Sequence, residues 1–195
     1  MSSGSPAGRK WSGRGLKKAL AERRTIVFVD ESGLSERPHR VRTWAPRGQT
    51  PVLQYQFNWN QLSAAAGITW FNFYFRLYPD TICAAQVIDF LSHLLRQLRG
   101  KLLVLWDGLA AHRARLVSAF IGEQGDRLAV ERLPAYAPEL NPVEYIWGYW
   151  KNHELPNFCP GDFFELSYYA RRALRRMRRR SPLVRSFWRQ AELSL

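Results

Sequence analysis

The segment Leu133-Pro-Ala-Tyr-Ala-Pro-Glu-Leu-Asn-Pro-Val-Glu-Tyr-Ile-Trp-Gly-Tyr-Trp150 combines a stiff loop, a helix start and a carboxylate. Asn141 has the side chain of an N-cap, and Pro142 suits the first helical position, where a missing backbone N–H costs nothing. The segment therefore predicts a helix that begins at Pro142. Its buried stripe is formed by the apolar residues at helical spacing, Val143, Ile146, Trp147 and Trp150. Glu144 lies on a different face of this helix.

Glu144 has two interpretations. It follows Asn141 by three residues, so its side chain could reach back to the Asn141 backbone N–H as part of a capping box. The alternative is a role in chemistry, and the positions of other carboxylates favour it. Residues 25–29 and 101–106 are apolar stretches that predict buried strands, and they run directly into Asp30 and Asp107.

The remaining elements predict an α/β fold with a mixed central sheet. Residues 63–70 and 71–77 are strand candidates, residues 128–130 form a short strand, and residues 112–121 form a helix. A further helix precedes Gly100, with an apolar stripe at Ile88, Leu91, Leu95 and Leu98. Residues 41–53 predict either a β-hairpin or a tight loop.

Composition and charge restrict the class of protein. The chain has 195 residues, of which 46% are hydrophobic, so it can bury a full core. Its net charge of +13 indicates a polyanionic partner such as nucleic acid or an anionic membrane surface. No apolar run approaches the roughly 20 residues that cross a bilayer, which excludes a membrane protein and predicts a cytoplasmic, nucleoid-associated one. Cys83 and Cys159 are isolated, which excludes a disulfide framework and a structural zinc site.

The three acids predict a metal site if they converge. Carboxylates at strand ends lie where α/β sheets bind ligands. Each pair about 4 Å apart repels by roughly 1 kcal/mol in water and roughly 4 at an effective dielectric of 20, so such a cluster needs a counter-charge. An oxygen-only ligand set favours Mg²⁺ or Mn²⁺ over zinc, and two such ions could activate a nucleophile at a phosphodiester.

The chain resembles the DDE-superfamily transposases of bacterial insertion sequences, of the six-thirty type, which are related to mariner elements. The resemblance covers residues 25–154 and is carried by Val29-Asp-Glu-Ser-Gly33, Thr43-Trp-Ala-Pro-Arg-Gly-Gln-Thr-Pro51, Leu105-Trp-Asp-Gly-Leu-Ala-Ala-His112 and residues 133–147. The 36 residues between Asp107 and Glu144 are similar to the spacing in that superfamily. The resemblance implies an RNase H-like fold with Asp30, Asp107 and Glu144 as catalytic metal ligands. It also implies DNA cleavage at transposon ends and strand transfer into target DNA.

Transposases of this type carry an N-terminal helix-turn-helix region, whereas here only a short basic lead precedes the first strand. We therefore expect a catalytic half that works with a helix-turn-helix partner from an upstream reading frame, and a homodimer as its assembly. The alternatives are a decayed, non-catalytic DNA-binding remnant and an RNase H-like nuclease without strand transfer. The predicted organisation is a basic flexible lead at 1–24, a catalytic domain at 25–160 and an arginine-rich helical extension at 161–195.

Several residues carry alternative roles. Glu31 could replace Asp30 as the ligand, since a shift of one residue reverses the face of a strand. His112 could contact the scissile phosphate or form a structural hydrogen bond, and solvated-face roles are expected for Glu139 and Glu154, the substitutes for Glu144.

DNA contacts are predicted in two places. The first lies between residues 41 and 53, where Trp44 beside Arg42 and Arg47 suits stacking and phosphate contact, although Trp44 could instead pack on the core. The second is the run from Arg171 to Arg189, which contains nine arginines and no acid. Its predicted DNA-binding residues are Arg171, Arg172, Arg175, Arg176 and Arg179. The other interpretation of this run is a solvated face.

Overall fold

A five-stranded mixed sheet forms the centre of the computed structural model, which describes residues 19–55, 60–134 and 138–191. The strands are β1 Thr25–Ser35, β2 Gln61–Ile68, β3 Phe73–Tyr78, β4 Leu102–Trp106 and β5 Leu128–Arg132. Their order in the sheet is β3-β2-β1-β4-β5, with β2 antiparallel to β1 and β3, and with β1, β4 and β5 parallel. The predicted mixed sheet of an α/β fold is confirmed.

Five α-helices lie wholly within the described ranges and cover the sheet: α1 Ala84–Gln97, α2 Arg115–Glu123, α3 Pro142–Tyr149, α4 Phe163–Arg178 and α5 Ser181–Gln190. Residues 19–21 are also helical. Short 3₁₀ turns lie at Ala111–Arg113, Gly125–Arg127 and Pro138–Leu140, and a π-helical turn at Trp150–Glu154 continues α3. None of these helices is long and apolar enough to cross a membrane. The predicted start of α3 at Pro142 is correct.

The two faces of the sheet bury separate apolar cores, because successive strand residues point to opposite sides. Phe28 faces the core formed with α3, α4 and α5, whereas Val27 and Val29 face the core formed with α1 and α2. Trp188 of α5 packs edge-on against Phe28, with ring centroids 5.3 Å apart. The arginine-rich C-terminal helices therefore contribute buried side chains to the main core.

Two predicted boundaries are wrong. β1 continues to Ser35 instead of ending at residue 29, because pairing with β2 from Phe28↔Ile68 to Ser35↔Gln61 satisfies the backbone through the acidic segment. The helix predicted at 112–121 is divided, because Ala114 is extended (ψ 140°) between the 3₁₀ turn and α2.

Residues 36–55 form a loop and contain no strand, so the hairpin alternative for residues 41–53 is wrong. Its tip is a tight turn in which the Gln49 N–H donates to the Pro46 carbonyl at 3.0 Å, and Gly48 has φ +80°. The loop is attached at Val41, whose N–H and C=O bond to the Asn157 side chain at 2.8 and 2.9 Å. Trp44 is 100% exposed, so it does not pack on the core.

Candidate active site

The pairing of β1 with β4 places two aspartates side by side. The parallel register pairs Phe28 with Leu105, and continuing it sets Asp30 level with Asp107, just beyond the end of β4. β1 extends past β4 at this edge, where it is paired only with β2. Asp30 therefore lies within a strand and Asp107 at the start of a loop, although the sequence predicted a strand end for both.

Asp30 is buried against α3. Its side chain lies on the α3 side of the sheet, where the Trp147 indole N–H donates to its Oδ2 at 2.8 Å. Asn141, the cap of α3, also bonds to β1, because its Nδ2 donates to the Val29 carbonyl at 3.3 Å. Burial raises the pKa of Asp30 to about 8, and the charges of Glu144, Glu31 and Asp107 add to this effect. The charge of Glu144 thus acts on Asp30 from the first turn of α3.

The cap of α3 leaves the Glu144 carboxylate out of the capping box. The Asn141 side chain accepts from the Val143 N–H at 3.2 Å, and the Glu144 backbone N–H donates to the Asn141 carbonyl at 3.1 Å. Among the described residues, no bond runs from the Glu144 side chain back to the cap. Glu144 is exposed beside the buried Asp30, and its side chain does not form a capping box.

Lys151 supplies positive charge on the α3 side of the site. Its Nζ donates to the Ser32 Oγ at 2.7 Å. Burial lowers the pKa of the half-buried Lys151, whereas Glu144 and Asp30 both act to raise it. The ammonium group is therefore close enough to both carboxylates to offset part of their repulsion.

His112 supplies positive charge on the opposite side. Its Nε2 lies 2.8 Å from Glu31 Oε1, and its Nδ1 lies 3.1 Å from Asp107 Oδ1. The ring stacks on Trp106 with centroids 4.1 Å apart and planes 4° apart. Burial opposes the charged ring, but the hydrogen bonds to Asp107 and Glu31 prevail and raise the pKa of His112 to about 10. The hydrogen-bonding interpretation of His112 is therefore correct.

The hydrogen bonds to Asp107 favour its charged form. Burial alone would raise the pKa of Asp107, but the hydrogen bonds from His112 and from the Leu109 N–H outweigh burial and hold that pKa below its usual value. The Leu109 N–H reaches Oδ1 at 3.1 Å. Asp30 and Asp107 therefore have opposite pKa shifts across one sheet edge.

The donor set fits a hard divalent cation. Asp30, Asp107 and Glu144 offer only carboxylate oxygens, which Mg²⁺ and Mn²⁺ prefer. Glu31, Asp107 and His112 also place one ligand atom each within 4.8 Å of one another, but both ring nitrogens of His112 already face carboxylate oxygens. Strand alternation sends Glu31 to the His112 side of the sheet and Asp30 to the Glu144 side.

The arginines of α4 form a second feature. A cleft of about 520 Å³ is lined by Tyr168 and six arginines, Arg171, Arg172, Arg175, Arg176, Arg179 and Arg180. Arg176 and Arg180 bind Glu154, the former from Nε at 2.6 Å. The side chain of Glu154 is only 4% exposed, so the solvated-face prediction for it is wrong. Arg171, Arg172, Arg175 and Arg179 are exposed, as are Arg42 and Arg47 in the loop.

Three contacts that support the acids were not predicted from the sequence. Trp147 was assigned only to the buried stripe, although its indole N–H also binds Asp30. The Lys151–Ser32 and Glu31–His112 contacts were not predicted either. Each joins two segments that are far apart in the sequence, by 119 and 81 residues. The one available signal was His112 itself, five residues after Asp107 in a chain that needs a counter-charge.

An RNase H-like sheet with carboxylates gathered at one edge defines the class of metal-dependent nucleases and DNA-transfer enzymes. The sequence profile described as DDE superfamily endonuclease matches residues 25–160. The chain therefore belongs to the DDE superfamily endonucleases.

Solved structures of the Mos1 mariner transposase have the same fold. They include the paired-end complex with left transposon end (TM-score 0.65, 19% identity, 98% of this chain and 62% of that chain). The paired-end complex with Mn gives TM-score 0.65 at 18% identity, over 96% of this chain and 60% of that chain. The isolated catalytic domain of Mos1 gives a TM-score of 0.60 at 17% identity, over 96% of this chain and 90% of that chain. The chain thus spans less than two thirds of the chain in the first complex, and no curated protein sequence matches it.

Asp30→Asn should stabilise the metal-free protein in a pH-dependent way. The unfolded Asp30 titrates near pH 3.9, so between about pH 4 and pH 8 the folded wild type holds a proton that the unfolded chain releases, and its stability falls as pH rises. Asparagine can still accept from Trp147 but does not titrate. The stability difference should be small near pH 4 and grow by up to about 1.4 kcal/mol per pH unit up to about pH 8. Denaturant unfolding in a chelator measures it, and a pH-independent difference would contradict the buried acid.

Proposed function

We propose that this chain is the catalytic domain of a DNA transposase of the insertion-sequence six-thirty type, which cleaves DNA at transposon ends and transfers the 3′-hydroxyl to target DNA. The proposal is supported by the sheet register that sets Asp30 level with Asp107, and by Glu144 in the first turn of the helix that bonds to Asp30, within a DDE-family chain. Solved relatives of the same fold include a Mos1 strand transfer complex. The proposed localisation is cytoplasmic.

The three acids are the proposed ligands of two Mg²⁺ or Mn²⁺ ions. When bound, such ions neutralise charge at the scissile phosphate and activate the attacking hydroxyl. Trp147 orients Asp30 through its N–H, and Lys151 lies near the two acids on the α3 side. His112 holds Asp107 from the other side. The raised pKa of Asp30 means that a bound cation would also favour its charged form.

DNA is the proposed partner of the basic surfaces. The net charge of +13 suits a polyanion. The α4 cleft presents four arginines that form no ion pair among the described residues, Arg171, Arg172, Arg175 and Arg179. The exposed loop adds Arg42, Trp44 and Arg47, an aromatic residue that lies between two arginines in the sequence. A helix-turn-helix partner from an upstream frame and a homodimer complete the proposed assembly.

A nuclease that cuts without joining is the second candidate, favoured by the endonuclease description of the family. A plasmid assay with authentic element ends and Mg²⁺ separates the two functions. Joined products support the transposase, and hydrolysis products alone support the nuclease. A decayed DNA-binding remnant would give neither product.

Removing any of the three acids should abolish phosphoryl transfer. Near pH 7 and without metal, DNA affinity should rise slightly when Asp107 or Glu144 is removed, because a charge that repels DNA is lost, and should stay equal when Asp30 is removed, because Asp30 is then mostly protonated. The variants are Asp30→Ala, Asp107→Ala and Glu144→Ala, and the readouts are cleavage and equilibrium binding on one duplex. Glu123→Ala removes an exposed acid of α2 and is the matched control, with normal cleavage expected. Near-normal cleavage by Glu144→Ala would exclude it as a ligand and leave the exposed Glu139 as the next candidate.

Removing arginines that line the α4 cleft should flatten the salt dependence of DNA binding. Deleting the whole run would also remove core residues such as Leu174 and Trp188, so point substitutions are the better test. Each lost phosphate contact lowers the slope of log affinity against log salt by about 0.9, so Arg175→Gln with Arg179→Gln should lower it by about 1.8.

Arg96→Gln with Arg99→Gln is the matched control for this salt series, because it removes the same charge from exposed positions in and just after α1. The slope for a random duplex should be unchanged in this variant. Equal slopes for the α4 double variant and the wild type would place the DNA contacts elsewhere and make the loop carrying Arg42 and Arg47 the next surface to test.

A further inference from the structure

The Asp107 carboxylate is held at one oxygen only. Its side chain is 43% exposed and follows β4 directly, so the strand itself does not fix its orientation. The Leu109 N–H donates to Oδ1 at 3.1 Å, and His112 Nδ1 lies 3.1 Å from the same oxygen and 3.3 Å from the Asp107 carbonyl oxygen. Oδ2 receives neither of these donors. This one-sided arrangement leaves the second oxygen of Asp107 for another partner.

The position of the His112 ring is fixed by its neighbours Trp106 and Glu31. It is 1% exposed, stacks on Trp106, and meets Glu31 Oε1 with Nε2 at 2.8 Å. Both of its ring nitrogens face carboxylates, which only accept, so both donate, and neither keeps the lone pair that a metal ligand needs. Glu31 therefore holds the ring through Oε1, while its Oε2 is buried without a hydrogen-bond partner among the described residues.

We propose that His112 is a positioning residue that orients Asp107 for cation binding, with Glu31 and Trp106 fixing the ring. The inference rests on the proposed function, because it takes Asp107 as a metal ligand. Residues that orient metal ligands through hydrogen bonds commonly change metal affinity by about 10-fold to 100-fold when removed. His112 would then contribute to the site without touching the cation or the DNA.

The sign of the effect separates positioning from simple electrostatics. A cationic ring near the site repels a divalent ion, so its removal by charge alone would strengthen Mn²⁺ binding. A positioning role predicts the reverse, because Asp107 loses the donor that fixes its orientation. The whole chain, without DNA, is titrated with Mn²⁺, and free Mn²⁺ is measured by electron paramagnetic resonance.

His112→Ala should weaken Mn²⁺ binding by about 10-fold or more, and His112→Gln should recover part of the loss because its amide can still donate to Asp107. His112→Leu fills the space beneath Trp106 and replaces the alanine variant if that variant does not fold, as judged by thermal unfolding. His93→Ala, at a half-buried histidine of α1, is the control and should bind as the wild type does.

Two outcomes overturn the inference and are distinguishable. In the first outcome, the folded His112→Ala and His112→Leu variants bind Mn²⁺ as tightly as the wild type or more tightly, while Asp107→Asn loses binding. This result would exclude a positioning role for His112 and leave the proposed metal site intact. Wild-type affinity in Asp107→Asn would remove Asp107 from the metal site, and the proposed function would lose its ligand together with the inference.

Discussion

The parallel pairing of β1 with β4 is the constraint on which the acidic site depends. It begins at Thr25↔Leu102 and fixes a register that places Asp30 level with Asp107. A shift of one residue would turn Asp30 away from α3 and expose the alternating apolar residues of β1 to the wrong core. Because both faces of the sheet are buried, that register is strongly specified, and the position of the two aspartates follows from the packing of the core.

The site holds several carboxylates at one edge because each is balanced separately. Asp30 is buried beside an indole N–H, and burial raises its pKa. Asp107 remains charged because His112 and the Leu109 N–H donate to it. Lys151 adds positive charge on the α3 side of the site. The metal-free site thus stores repulsion that a divalent cation would relieve, which links the stability of the fold to cation binding.

The local signals in the sequence correctly predicted the mixed sheet and the start of α3, and they also selected the three candidate acids. Asn141 and Pro142 determine a helix start over a few residues, and apolar runs before an aspartate are equally local. The sequence predicted the end of β1 wrongly because pairing with β2, which is a tertiary contact, extends the strand through Glu31. The roles of Trp147, Lys151 and Glu154 depend on partners distant in sequence, so no local pattern could indicate them.

We propose that Asp30, Asp107 and Glu144 together bind the catalytic cation, while Glu31 and His112 only support them. Anomalous diffraction from crystals grown with Mn²⁺ locates the ion without reference to activity. We expect an anomalous peak between the carboxylates of Asp30 and Asp107, on the side of the sheet that carries Glu144. A peak between Glu31 and the His112 ring, or none at this edge at saturating Mn²⁺, would contradict it.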